Sequence, residues 1–456
     1  MGSPKALEGV RIIVAEDYVV LPFATMMLAD LGAEVIRVET PTRLLSRRFN
    51  PFPDGVPGEE WWNESGWFNY WFRNKRSAVI NIQTPQGREL FRDLVKISDV
   101  VATNFRTDVV KRLGLDYESL KEVKPDLVMM NVTGFGQTGP WRNYGAFART
   151  IDGYTGLSHL TGYRGGPPLR ANPTYMDTTG GMNNFQAIMM GLFQRDNTGE
   201  GVHIDASMYE AGISAVGPAL LDTQRTGISE PRPGNRSSIM APHGCYPCKG
   251  DDRWVVIAVN SDKSWESMCG AMGNPDWTKN PEYDSTDGRV ARQSELDEKI
   301  SQWTESKDSY EVFHLLQQAG VAAGPVLNGK DLLLDPQLQA VEVFDTFNHD
   351  EERVGKRIYQ GRPYSMSRTP GSIGFVSTFG EDNQYVLSEL LGRSEMEIKA
   401  LFDEGVLASE PDEEEKEPPP TADPEAQVRR HALQSYDSEY KKILGLEESV
   451  SSGGDA

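Results

Sequence analysis

The first 135 residues alternate short apolar runs with helical patterns, and this alternation limits the possible folds more than any other feature of the chain. The runs Gly9–Ala15 and Glu34–Glu39 enclose a segment with helical apolar spacing that stops at Gly32. Further runs follow at 78–82, 99–104 and 126–135, with helical segments between them. Strands that alternate with helices in this way pair in parallel, so the sequence predicts an α/β fold with a Rossmann-like, doubly wound sheet.

The carboxyl ends of these strands are the expected ligand edge of the sheet. They lead into 15–20, Thr40, Asn104–Phe105 and Thr133–Gln137. The last of these opens a glycine-rich stretch, TGFGQTGP. Glycine and proline are typical of turns, but the position at the ligand edge also favours a binding role, so both interpretations stay open.

The chain is too long for one ordinary core, because it has 456 residues. A stretch rich in proline, glycine and serine, RTGISEPRPGNRSS, indicates a linker after the sheet. We predict a large domain from 1–225 plus 335–408, with a smaller α/β domain at 238–330 inserted into it. Residues 409–456 are acidic and rich in proline, which predicts a disordered tail that catalysis does not require.

Charge and hydropathy exclude several classes of partner. The net charge is −21, from 67 acidic and 46 basic residues, which disfavours nucleic acid and anionic membranes. An anionic small molecule needs only a local basic site. No apolar run is long enough to span a membrane, the first residues resemble a strand rather than a signal peptide, and there are only three cysteines. The sequence therefore predicts a cytoplasmic enzyme or binding protein.

Most motifs of common catalytic sites are absent from the sequence. It contains no G-x-G-x-x-G, P-loop, H-E-x-x-H or G-x-S-x-G pattern. Cys245 and Cys248 form a C-x-x-C pair, but zinc would need two more well-placed ligands, and a redox pair is expected to open a helix. We interpret the pair as ordinary cysteines and predict no metal site.

Asp177 is the one candidate catalyst that stands at a structural boundary. It precedes a helical pattern, Thr178–Arg195, and has no His, Cys or second carboxylate within several residues. Aspartate is among the best helix N-caps, so the residues alone favour a structural role.

Four blocks in order nevertheless resemble one family, the family III CoA-transferases, which includes formyl-CoA and carnitine CoA-transferases. The blocks are 7–41, 73–105, 112–140 and 176–211. The resemblance implies that Asp177 is a nucleophile that forms an aspartyl–acyl anhydride and then an aspartyl–CoA thioester. It also implies an interlocked homodimer, CoA and acyl-CoA as substrates, a carboxylic acid as acceptor, and no tightly bound cofactor.

The resemblance also implies a CoA site, carried over by position. Its expected members are Tyr18, Val19, Val20, Asn104, Phe105, Arg112 and Met208, with Arg73, Lys75 or Arg76 as further phosphate contacts. The family's glycine-rich substrate loop corresponds to Ser237, Ser238, Ile239, Met240 and Ala241. The loss of its glycines argues against oxalate or formate and favours a larger, partly apolar acid.

Two other functions remain as alternatives. An acyl-CoA racemase on the same fold needs a second base, but the stretch 142–150 contains no histidine. A non-catalytic CoA-binding protein would have no need of the aspartate, and Asp177 is present.

Overall fold

The computed structural model describes residues 5–170, 175–229, 231–420, 424–429 and 437–446. The chain divides into two compact units. The first spans Met1–Gly156, Asn172–Gly217 and Pro336–Ala456, and the second spans Leu157–Ala171 and Pro218–Asp335. The predicted small domain, 238–330, lies inside the second unit, which also includes residues on both sides of it and the stretch Leu157–Ala171.

Six parallel strands form the central sheet of the described part of the first unit, in the order β3-β2-β1-β4-β5-β6. This is the doubly wound order of Rossmann folds, and it confirms the predicted fold class. The strands are β1 (Arg11–Ala15), β2 (Glu34–Glu39), β3 (Lys75–Val79), β4 (Val100–Thr103), β5 (Val128–Thr133) and β6 (Val202–Ser207).

The other strands form two smaller sheets. They are β7 (His243–Pro247), β8 (Trp254–Ala258) and β9 (Ala322–Pro325), which pair in the second unit, and β10 (Phe344–Asn348) and β11 (Lys356–Gln360), which pair in the first.

Helices cover the sheets and fill the connections. They are α1 (Val20–Asp30), α2 (Trp61–Glu64), α3 (Gly66–Trp71), α4 (Pro85–Lys96), α5 (Thr107–Leu113), α6 (Tyr117–Leu120), α7 (Ala148–Tyr154), α8 (Leu157–Leu160), α9 (Tyr175–Thr198), α10 (Met208–Ile213), α11 (Gly217–Thr226), α12 (Asp262–Ala271), α13 (Thr286–Ala291), α14 (Gln293–Thr304), α15 (Ser309–Gln318), α16 (Gly329–Leu334), α17 (Pro336–Ala340), α18 (Glu395–Asp403), α19 (Pro424–Arg429) and α20 (Tyr440–Ile443). No helix in the described ranges is long and apolar enough to cross a membrane.

Local sequence signals position several of these elements. The hydroxyl of Thr84 accepts a hydrogen bond from the Gly87 backbone N–H at 3.0 Å and caps α4, as expected of threonine before proline. The prediction for β3 was wrong by three residues, because the strand begins at Lys75 rather than at Ala78. The two basic side chains at its start, Lys75 and Arg76, form ion pairs with Glu16 and Asp382, so they do not oppose strand formation.

The prediction of disorder from residue 409 onward was wrong for residues 409–420. Pro411 and Pro419 are buried, and a short 3-10 turn forms at Glu413–Glu415. The Asp412 backbone N–H donates to the carbonyl oxygen of Pro41 at 3.1 Å. Acidic composition did not reveal this packing, because the partners lie more than 350 residues earlier in the chain. Residues 421–423, 430–436 and 447–456 of the predicted tail lie outside the described residues.

Candidate active site at the amino-terminal end of α9

Asp177 lies inside the first turn of α9, because the helix begins at Tyr175 rather than at Thr178. The expectation that Asp177 is the N-cap was therefore wrong. The residue is half-buried. A carboxylate in the first turn interacts favourably with the helix dipole, and the first N–H groups of a helix lack acceptors within it. The position can therefore hold a negative charge.

Gly180 and Gly181 let α9 pack closely against α1. A Cβ atom on Gly180 would lie 3.0 Å from Val20 Cγ2 and 3.7 Å from Met208 Cγ, and one on Gly181 would lie 2.9 Å from the carbonyl oxygen of Val20. The helical i to i−4 pattern directs the N–H groups of these glycines to the preceding turn. The glycines therefore bring Val20 and Met208 to the helix of Asp177.

The turn after β1 has an unusual backbone. Tyr18 has a φ of 64°, in the left-handed region that non-glycine residues seldom adopt. Its N–H donates to the hydroxyl oxygen of Ser46 at 2.9 Å. The Asn104 side chain accepts from the Asp17 N–H at 3.0 Å and donates to the Asp17 carbonyl at 2.6 Å. Ser46, which follows β2, and Asn104, which follows β4, therefore hold the turn after β1.

Two aromatic rings lie beside the ring of Tyr18. Its ring centroid lies 5.5 Å from that of Phe147, with the planes nearly perpendicular, and 6.0 Å from that of Phe49. Phe147 is 61% exposed in the single chain. An exposed aromatic wall beside a strained turn is suited to bind a ligand with flat or apolar parts.

Asp17 and Arg43 set the charge at this turn. Burial raises the pKa of the Asp17 carboxyl, and Arg37 and the hydrogen bond from Ser46 oppose the rise. Burial and Asp17 raise the pKa of the Tyr18 hydroxyl, while Arg43 opposes that rise. Arg43 thus brings an exposed guanidinium to the turn after β1. Sequence reasoning missed it, because the loop after β2 has no periodic pattern; the only signal was its run of three arginines within 43–48.

Two expected phosphate contacts face inward instead. Lys75 donates to Glu16 Oε1 at 2.6 Å, to the Pro22 carbonyl at 3.0 Å and to the Thr25 hydroxyl at 2.8 Å. These acceptors use all three N–H groups of the ammonium. Burial lowers the Lys75 pKa to about 8, although Glu16 opposes the change.

Arg73 is similarly enclosed. It is 1% exposed and makes a bidentate ion pair with Asp30, with the shortest contact at 2.7 Å. In this conformation neither Arg73 nor Lys75 presents a donor to a ligand at the surface. The geometry therefore does not support a contact of Arg73 or Lys75 with CoA, which stays a prediction for both residues.

The remaining expected residues of the CoA site differ in accessibility. Val19, Val20 and Met208 are buried, whereas Phe105 is half-buried and packs on the core below β4. Arg112 is exposed on the last turn of α5, and within the described residues its side chain makes no hydrogen bond or ion pair. Arg112 is therefore available to an anionic ligand.

The predicted substrate loop belongs to the second unit. Gln293 donates to the Ser237 carbonyl at 2.7 Å, and Arg289 donates to the Ala241 carbonyl at 2.8 Å. Between these anchored ends, Ser238 is exposed, Met240 is half-buried and Ile239 is 74% exposed. The loop therefore presents an apolar side chain at its tip.

The cysteines have the properties of ordinary buried thiols. Cys245, Cys248 and Cys269 are all unpaired, and burial raises the pKa of both Cys248 and Cys269 to about 11. Such thiols stay protonated at neutral pH, unlike the thiolates of redox and zinc sites. The part of the chain that is described holds no cluster of three or more metal-binding side chains.

Comparisons with known proteins give a consistent result. Residues 7–383 match the sequence family described as CoA-transferase family III. The chain is 30% identical over 404 residues to a succinyl-CoA–D-citramalate CoA-transferase of Chloroflexus aurantiacus, covering 87% of this chain and 97% of that protein. It is 28% identical to a formyl-CoA:oxalate CoA-transferase of Rhodopseudomonas palustris, covering 88% and 97%. A crystal structure of a CAIB/BAIF family protein from Brucella suis superimposes with a TM-score of 0.76 at 27% identity, covering 85% and 99%.

Proposed function

Because the chain belongs to CoA-transferase family III and is an enzyme that transfers CoA between an acyl-CoA and a carboxylate, we propose that Asp177 is its covalent nucleophile. The observation that carries this proposal is the position of Asp177 in the first turn of α9, three residues before Gly180, which packs against Val20 and Met208 of the expected CoA site. A carboxylate is ordinarily ionised at neutral pH, so it attacks without a general base.

The proposed reaction has four steps. The Asp177 carboxylate attacks the thioester carbonyl of the donor, which releases CoA thiolate and leaves an aspartyl–acyl anhydride. The thiolate attacks the Asp177 carbonyl of the anhydride, giving an aspartyl–CoA thioester and the free donor acid. The acceptor carboxylate attacks this thioester and releases CoA thiolate again. The thiolate then attacks the acceptor carbonyl, which yields the new acyl-CoA and restores Asp177.

We assign the CoA site to the carboxyl edge of the sheet around Tyr18. Its members are Tyr18, Val19, Val20, Asn104, Phe105, Arg112 and Met208, and we add Arg43. Asn104 acts by holding the turn, because its side-chain amide hydrogen-bonds both the N–H and the carbonyl oxygen of Asp17. Arg43 and Arg112 supply exposed guanidinium groups, which suit bidentate contact with phosphate. They replace Arg73 and Lys75 in this role.

The acceptor is proposed to be larger and more apolar than formate or oxalate. The relatives named above act on small acids such as oxalate and D-citramalate. In this chain the expected substrate loop carries Ile239 and Met240, whose side chains favour apolar surface. A panel of carboxylic acids that varies chain length and aromatic content, tested with several acyl-CoA donors, would identify the preferred class.

We propose an interlocked homodimer in the cytoplasm, with CoA and acyl-CoA as substrates and no tightly bound cofactor. Met190 and Phe193 lie on α9 and are 69% and 73% exposed in the single chain, and Leu221 on α11 is 67% exposed. Met190 and Phe193 lie one helical turn apart, and adjoining exposed apolar side chains of this kind mark a contact surface. Sedimentation should give a dimer at every concentration, because interlocked chains cannot separate while folded. A folded monomer on dilution would contradict this assembly.

The racemase alternative has little support. The stretch 142–150 places Phe147 beside Tyr18, and phenylalanine cannot act as the second base.

Trapping of the intermediate tests the proposed nucleophile. Wild-type enzyme incubated with acyl-CoA and hydroxylamine should form a hydroxamate on the peptide that contains Asp177, and borohydride should reduce the same group to an alcohol. Asp177→Asn keeps the shape but removes the nucleophile, so CoA exchange should fall by several orders of magnitude. The matched control is Asp196→Asn, an exposed carboxylate near the other end of the same helix. Normal exchange by Asp177→Asn would refute the mechanism.

A further inference from the structure

The segment 409–417, which we call the carboxyl-terminal strap, packs on the loop that follows β2. Arg48 of this loop donates to the carbonyl oxygens of Glu415 and Glu417 at 2.7 Å and 2.9 Å, and to the Glu415 carboxylate at 3.1 Å. Three hydrogen bonds from one guanidinium to one segment make a defined attachment.

A buried tryptophan forms the second attachment of the strap. The Trp61 indole N–H donates to the Lys416 carbonyl at 3.0 Å, and the Trp61 ring lies 4.8 Å below the Arg48 guanidinium. Trp61 is 1% exposed. Loss of the strap would therefore remove the partners of both Arg48 and Trp61.

The same loop holds the turn of the proposed CoA site. Glu415 Oε2 accepts a hydrogen bond from the Leu44 N–H at 3.3 Å. Two residues later, fully buried Ser46 accepts from the Tyr18 N–H at 2.9 Å and donates to Asp17 Oδ1 at 2.8 Å. A residue with the positive φ of Tyr18 keeps that conformation only when its surroundings constrain it.

We propose that the carboxyl-terminal strap positions the CoA-binding turn at Tyr18 by fixing the loop 41–48. This inference rests on the proposed function for its ligand. The strap lies beyond the part of the chain that matches the family, which ends at residue 383. The expectation that the whole tail is dispensable is replaced by a division at about residue 420.

Two truncated proteins test whether the tail divides into a strap that positions the CoA site and a remainder that does not. The protein 1–408 lacks the strap, whereas 1–420 keeps it and lacks only the remainder of the tail. We expect the KM for acyl-CoA to rise about tenfold in 1–408, with a smaller change in kcat, since several hydrogen bonds that hold the turn are lost. The protein 1–420 should match the full chain. Equal KM values in all three proteins would overturn the proposal.

Point variants make the same test if 1–408 folds poorly. Glu415→Gln weakens the contacts of the strap with Arg48 and Leu44 and should raise the KM for acyl-CoA about threefold. The matched control is Glu413→Gln in the same turn, because Glu413 is 88% exposed and its ion pair is with Lys416 of the strap itself. Equal KM values for the two variants would contradict a positioning role.

Amide exchange separates failure of this proposal from failure of the proposed function. In 1–408 the N–H groups of Tyr18 and Leu44 should exchange faster than in 1–420, with or without ligand. If the full chain binds no CoA in calorimetry, the proposed CoA site is wrong, and the exchange rates alone decide the role of the strap. Unchanged exchange of the Tyr18 and Leu44 amides in 1–408 would refute the positioning role of the strap.

Discussion

Gly181 meets the carbonyl oxygen of Val20 so closely that no side chain fits between them. A Cβ atom on Gly181 would lie 2.9 Å from that oxygen and 2.6 Å from Phe23 Cδ1. Val20 begins the helix that follows the strained turn at Tyr18, and Gly181 lies one helical turn after Asp177. The contact therefore sets the distance between the proposed nucleophile and the proposed CoA site, and it requires glycine.

Gly181→Ala should lower both stability and turnover. The added methyl group pushes α9 away from α1, and overpacking of this kind costs about 1–3 kcal/mol. A displacement of the nucleophile should lower kcat by about a hundredfold. Gly270→Ala in α12 is the control, because the space around that glycine is open within 4 Å. Stopped-flow or steady-state kinetics and thermal unfolding measure the two effects. Full activity in Gly181→Ala would mean that α9 can move without disturbing the reaction.

Arg112→Ala should weaken binding of acyl-CoA while leaving the fold intact. Arg112 is exposed, so its loss removes no core packing, and a lost charge-assisted contact with phosphate would raise KM about tenfold. The kcat should change less, since the phosphates lie far from the thioester. Arg92→Ala is the matched control, because Arg92 is partly exposed on α4 and its ion-pair partner, Glu122, is 3.9 Å away. An unchanged KM in Arg112→Ala would remove this residue from the CoA site.

Lys75→Met should have the opposite effect to Arg112→Ala: it should lower the free energy of unfolding without a direct effect on CoA binding. The substitution leaves the Glu16 carboxylate, which is 2% exposed, without its cation. Removing one member of a buried ion pair typically costs about 3–5 kcal/mol. Urea unfolding measures the loss, and the KM for acyl-CoA of the folded fraction should match wild type. A raised KM with unchanged stability would restore Lys75 as a phosphate contact.

The sequence predicted those features that depend on local pattern. The bounds of β2, the cap at Thr84 and the class of the sheet follow from apolar spacing and turn chemistry, and the structure confirms them. Asp177 was found through resemblance, since its local environment offered only a helix cap. Its role remains a prediction.

The errors concern side chains whose partners are distant in the chain. Arg73 and Lys75 looked like surface cations, but Asp30 and Glu16 neutralise them inside the fold. The strap looked disordered, but Arg48 and Trp61 bind its backbone. No local pattern reports such pairs, because each is created by the packing of the strands and loops between its members.

His349 should make the protein less stable as the pH falls from about 6.5 to about 4. The ring is 7% exposed and lies 2.6 Å from the Tyr359 hydroxyl, and burial, with a contribution from Arg357, lowers its pKa from 6.5 to about 4. Within this window the unfolded chain binds a proton that the folded chain does not, so the free energy of unfolding falls as pH falls, by up to about 1.4 kcal/mol per unit. Above pH 6.5 the His349 ring is neutral in both the folded and the unfolded protein, so the effect disappears.

Urea unfolding across the window should give a steeper pH dependence for wild type than for His349→Gln. The control His314→Gln, at an exposed position, should follow wild type. Parallel curves for wild type and His349→Gln would show that His349 takes up its proton in the folded protein as readily as in the unfolded chain.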